Sequence, residues 1–144
     1  MARAKITGFD NLSQFFAKLE HPEKIAIKAV DKASPVLEKS LRSEIEKAAN
    51  RIDARGKPYS TGELAASIER TKARENDLGV FAVVKPEGTD SKGLRNVEKL
   101  AYLEYGVASK GQVAHPVRQK ANNAAEEECV KIMQEVVYEE VDKL

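Results

Sequence analysis

From Glu23 to Ala54, apolar side chains recur at Ala26, Val30, Ala33, Leu37, Leu41, Ile45, Ala48 and Ile52, stepping by threes and fours without losing phase. Side chains spaced this way share one face of an α-helix, whereas a strand would need alternation by two. A long one-sided helix is stable only when its stripe is covered, so the stripe calls for a second layer elsewhere in the chain. Pro35 stands in the middle and must remove one backbone hydrogen bond. Because the stripe continues across it, the sequence predicts a kinked continuous helix, with a break at Ser34 as the alternative.

A second stripe lies at the other end of the chain. Pro116 suits the first turn of a helix carrying Val117, Ala121, Ala125, Cys129, Ile132 and Val136 on one side. Val130, Met133, Val137, Val141 and Leu144 widen that face, enough to pack on a core and to meet a partner.

Shorter elements lie around these two. Ala4 to Thr7 reads as an extended opening, and Asp10 caps a helix with Leu12, Phe15, Phe16 and Leu19, which ends before His21 and Pro22. Ser60 to Glu63 fits a capping box, predicting a short helix to about Ser67. Ile68 to Arg74 alternates, Glu75 to Gly79 supplies turn chemistry, and Val80 to Val84 is apolar, which together predict a β-hairpin. Lys85 to Asn96 has glycines, a proline and no periodicity, and is expected to be a mobile loop. Asn96 is a candidate cap for a short helix stopped by Gly106, although Tyr102 and Tyr105 leave a strand open there. Gly106 to His115 is a second loop.

The expected fold is one α+β domain over residues 1–144, with a long N-terminal amphipathic helix and a C-terminal helix packed on a small antiparallel β-sheet. At 144 residues the chain is the size of one domain. It has no apolar run near the roughly 20 residues that cross a bilayer, and its start lacks the apolar core of a secretion signal, so a cytosolic chain is expected.

Chemistry-bearing patterns are sparse. The imidazole and thiol candidates, His21, His115 and Cys129, lie far apart with no ligand spacing, so neither a metal nor a cofactor is expected. Gly88 to Gly93 and Gly106 to Gly111 imitate a phosphate loop, but neither is followed by the Lys and hydroxyl residue that would hold phosphate and magnesium. No catalytic constellation is found, and no small-molecule substrate is expected.

The net charge of +1 conceals an asymmetry. Residues 1–121 hold 22 basic and 16 acidic side chains, and residues 122–144 hold 2 basic and 7 acidic, a body of +6 against a tail of −5. The acids Glu127, Glu128, Glu135 and Glu139 are therefore candidate contacts for basic residues of a neighbouring subunit, among Arg42, Arg70, Lys72 and Arg74. Alternation in a strand would set Arg70, Lys72 and Arg74 on one face, which supports a small nucleic-acid-binding or regulatory module as the alternative function. Without a stacking aromatic, direct nucleic-acid binding is not the first expectation.

Several segments, in order, resemble the small tail-completion and head-tail connector proteins of long-tailed phages. They are ITGFDNLSQFFAKL near the start, YSTGELAASI with Pro58, Thr61, Gly62, Leu64, Ser67 and Ile68, AYLEYG at residues 101–106, and AHPVRQKA at residues 114–121. Val107 stands where that family often has Thr, and Val117 where Phe is common. The resemblance implies a non-enzymatic structural subunit that forms a ring in the host cytoplasm and then sits at the virion head-tail junction. Its partners there would be copies of itself, head-connector proteins and tail-tube proteins.

Overall fold

The computed structural model describes residues 22–49, 62–111 and 113–143. The expected opening segment, the first helix and Ser60 of the capping box lie outside the described residues.

Helix α1 spans Pro22–Ala49, with Pro22 and Glu23 in its first turn, where a missing amide is harmless and a carboxylate meets the positive end of the helix dipole. It buries Ile25, Ala29, Ala33, Leu37, Leu41 and Ile45. At its N-terminal end the buried line runs through Ile25 and Ala29, one residue before the expected Ala26 and Val30, which are only half-buried. The helix passes through Pro35 unbroken. The carbonyl that Pro35 leaves without an amide partner, that of Asp31, accepts the Ser34 hydroxyl at 3.3 Å.

Short helix α2, Glu63–Ala66, begins later than a capping box from Ser60 requires. Gly62 is its N-cap at φ 81°, a left-handed backbone conformation that glycine adopts without strain, and no side chain caps the turn. The Glu63 carboxylate instead faces Ser91 and Lys99.

The predicted hairpin is present with a defect. Strands β1 (Ile68–Arg70) and β4 (Val84–Pro86) pair antiparallel, Arg70 opposite Val84, and β2 (Arg74–Asn76) and β3 (Gly79–Phe81) pair with Arg74 opposite Phe81. Three residues, 71–73, therefore oppose two, 82–83, which is a one-residue bulge. Thr71 bridges it, its amide donating to the Val83 carbonyl and its hydroxyl accepting the Val83 amide.

The segment after β4, expected as a mobile loop, is organised by hydrogen bonds. Asp90 Oδ1 accepts the amides of Lys92 and Leu94 at 2.9 and 2.8 Å, and its own amide donates to the Leu94 carbonyl. Helix α3, Asn96–Tyr105, follows, so the helical reading of residues 97–105 stands over the strand. Asn96 is not its cap; Arg95 is, without a side-chain bond. Asn96 is buried, its amide donating to the Gly88 carbonyl and its Nδ2 to the Glu87 carbonyl. Gly106, at φ 73°, ends α3 as expected. A 3-10 turn, Ala108–Lys110, leads towards helix α4, Val117–Asp142.

The fold is α+β, and its central contact is α4 lying antiparallel along α1. Lys28 meets Glu140, Cys129 Sγ lies 3.5 Å from the Ala33 carbonyl, and the Ser40 hydroxyl donates to the Ala121 carbonyl at 3.0 Å. Small residues face each other along the seam, Ala33 across from Cys129 and Ser40 across from Ala121, which lets the backbones approach that closely. Leu41, Ile45, Ile68, Val84 and Val117 are the largest fully buried side chains, each worth roughly 1.5–3 kcal/mol of burial. The strands pack on α1, and α3 bridges from β4 to α4.

Candidate functional site

The basic residues expected to form one row do not do so. Arg70 lies in β1 and Arg74 in β2, and the bulge between them interrupts the alternation that would align them with Lys72. Arg70 turns to α1, where its Nε is 3.1 Å from Glu38 Oε2 and its guanidinium reaches the Ser34 hydroxyl at 3.5 Å. Arg74 stacks on the Phe81 ring at 5.0 Å. Lys72 is exposed and makes no hydrogen bond or ion pair among the described residues.

Arg42 is structural as well. Its Nη2 donates to Glu38 Oε1 at 3.1 Å and to the Ile68 carbonyl at 2.8 Å, and its Nε to the Ala65 carbonyl at 3.1 Å. Glu38 thus holds two arginines, and Arg42 fastens α2 and the root of the hairpin to α1. These guanidiniums are committed within the chain, which removes Arg42 and Arg70 as free partners for a neighbour's acids.

The acids have the opposite character. Glu127, Glu128, Glu135 and Glu139 are exposed on α4 and make no hydrogen bond or ion pair among the described residues. Helical geometry sets Glu128, Glu135 and Glu139 in one stripe that continues to Asp142, with Glu127 about a quarter turn away. Glu140, beyond the stripe, is held by Lys28 and Lys143, and their hydrogen bonds keep its carboxyl below the usual range.

The two segments best matched in the resemblance, residues 101–106 and 114–121, are knitted together. The His115 amide donates to the Leu103 carbonyl at 2.7 Å, and Glu104 Oε2 accepts the Arg118 amide at 2.9 Å. Glu104 thereby caps α4 from another helix, supplying an acceptor and a negative charge where α4 has no side-chain cap of its own. Arg118 completes the joint, donating to the Tyr105 hydroxyl at 2.9 Å with its guanidinium 5.4 Å from that ring. Val97, Tyr102 and Tyr105 remain on the outer side of α3, Tyr105 at 73% exposure.

Sequence reasoning did not single out Glu38, Asp90 or Glu104. Glu104 carried a signal, as a carboxylate set between two tyrosines and a glycine. The i,i+4 spacing of Glu38 and Arg42 was a local signal, whereas nothing local marks the reach of Glu38 to Arg70 or of Asp90 to Lys99. Among the described residues no group of His, Cys, Asp and Glu could hold a metal ion, and no helix is long and apolar enough to cross a membrane. Comparison of the chain with protein-family models, curated proteins and solved structures finds no match.

Proposed function

We propose that this chain is a structural subunit of the head-tail junction or tail terminus of a long-tailed phage or prophage, acting as a ring oligomer without enzymatic chemistry. The observation that supports this most is the joint between residues 101–106 and 114–121. Two segments that resemble the tail-completion family separately are also tied to one another, through Leu103 with His115, Glu104 with Arg118, and Tyr105 with Arg118. A shared joint gives a reason for both motifs to recur in a fixed order: one supplies the cap and the other the helix start it caps. In this reading the subunit assembles in the host cytoplasm and meets head-connector proteins on one side and tail-tube proteins on the other.

The test is electron microscopy of tails that lack a completed head-proximal end, purified from the encoding phage or prophage and mixed with the protein. A ring of added density at that end is expected. Tails that stay bare at saturating protein would overturn the proposal.

A further inference from the structure

Along α1, Lys24, Lys28, Lys32 and Lys39 are all exposed. At 3.6 residues per turn they fall within an arc of about 80° and cover about 22 Å of helix axis. The acids beside that arc are already engaged: Asp31 Oδ1 accepts the Ala73 amide at 2.7 Å, and Glu38 holds Arg42 and Arg70. Glu46 marks the C-terminal end of the ridge. Of these lysines, Lys28 meets Glu140 of its own chain at 3.2 Å, while Lys24, Lys32 and Lys39 make no ion pair among the described residues.

On α4, Glu128, Glu135, Glu139 and Asp142 lie within about 60° over about 21 Å, with Lys131 at their edge. All four acids are exposed and unpaired among the described residues. The molecule thus carries two ridges of opposite sign, similar length and equal charge count, each mostly unanswered among the described residues.

We propose that these ridges are the two halves of one contact between copies of this chain, the lysine ridge of α1 in one subunit lying against the acidic ridge of α4 in the next. The complementarity argues for a second copy because each molecule carries both halves at matching length. The halves are different surfaces, so the contact is heterologous and an open assembly still offers a free lysine ridge at one end and a free acidic ridge at the other. Such a contact repeats until it closes, and its charges steer encounter and fix register. The inference rests on the ring reading above and names the contact that reading needs.

Sedimentation velocity of the full chain at low salt tests it. Wild type is expected to associate and to fall back to monomer near 1 M salt, where the screening length drops to about 3 Å. The double variants Lys32→Glu with Lys39→Glu, and Glu135→Lys with Glu139→Lys, are each expected to remain monomeric. Mixed in equal amounts they should associate again, because each reversed ridge then faces a reversed partner. Circular dichroism checks that each variant is folded, and the single variants Lys39→Glu and Glu139→Lys replace any that is not. A wild type that is monomeric at low salt, variants that associate alone, or a mixture of folded variants that stays monomeric overturns the contact. Tail binding by a protein indifferent to salt and charge reversal removes the contact and leaves the junction reading. Charge-dependent association without tail binding does the reverse.

Discussion

The Ser34 hydroxyl lies 3.3 Å from the carbonyl of Asp31, the acceptor that Pro35 deprives of its amide. A proline inside a helix costs about 3 kcal/mol relative to alanine, and this contact offsets part of that. Ser34→Ala should therefore lower stability by about 0.5–1.5 kcal/mol, the usual net worth of a hydrogen bond. Pro35→Ala restores the backbone amide and should raise stability. In the Pro35→Ala background the Ser34→Ala penalty should shrink, and a double-mutant cycle by urea denaturation measures the coupling. Strict additivity of the two substitutions would show that the hydroxyl does not substitute for the amide.

Arg42 joins α1 to α2 and β1 through two backbone carbonyls and Glu38. Arg42→Ala should destabilise the fold by about 1–3 kcal/mol, because the Ala65 and Ile68 carbonyls lose their charged donor. Arg42→Lys should recover little of this, since one ammonium cannot reproduce a forked donor reaching three acceptors. Thermal melts of the two variants should lie closer to each other than to wild type.

Glu104 caps α4 across the joint. Glu104→Ala should cost about 0.5–2 kcal/mol, the range for loss of a helix cap. Glu104→Gln keeps an acceptor but loses the charge, and should fall between. Hydrogen exchange at the first turn of α4 should rise in the same order.

Asp90 organises the segment between β4 and α3. Its carboxyl lies below the ordinary range, first because Lys99 hydrogen-bonds to it and then because the Leu94 and Lys92 amides do, against some opposing desolvation. A carboxyl whose folded pKa is depressed contributes stability that is fully present above its unfolded value, about 3.9. That contribution is lost as pH falls through the lower folded value. Amide resonances of Lys92 and Leu94 should therefore hold steady down to about pH 4 and move below it. Asp90→Asn should show no such transition.

Burial, reinforced by the neighbouring Glu128 charge, pushes the Cys129 thiol above its usual pKa, outweighing a lowering backbone hydrogen bond. A thiol reagent at neutral pH should label Cys129 slowly in the folded protein and rapidly in denaturant. Prompt labelling under native conditions would contradict its packing against α1.

What the sequence disclosed follows how local each interaction is. The stripes of α1 and α4 were legible because runs such as Val30, Ala33 and Leu37, or Cys129, Ile132 and Val136, step by three and then four, which one face of a helix accommodates and one face of a strand does not. Gly106 marked the end of α3 because its left-handed backbone is a local demand. The hairpin was legible but its bulge was not, since an inserted residue between Arg70 and Arg74 leaves the residue types unchanged. The order of residues 85–96 was hidden because Asp90 and Asn96 bind backbone amides and carbonyls, which have no sequence signature. The charge asymmetry was visible as a total. The total could not show that Arg42 and Arg70 are bound to Glu38 while Lys24, Lys32 and Lys39 stand free of ion pairs among the described residues.

The bond from the His115 amide to the Leu103 carbonyl closes the base of the excursion between α3 and α4. Once closed, the excursion leaves the turn Ala108–Lys110 exposed at the surface. Doubling a flexible loop adds only about 0.6 kcal/mol of closure entropy. Residues inserted near Ser109 and Lys110 would thus change what the surface displays while the α1–α4 pair keeps its packing, so recognition can diversify there independently of stability.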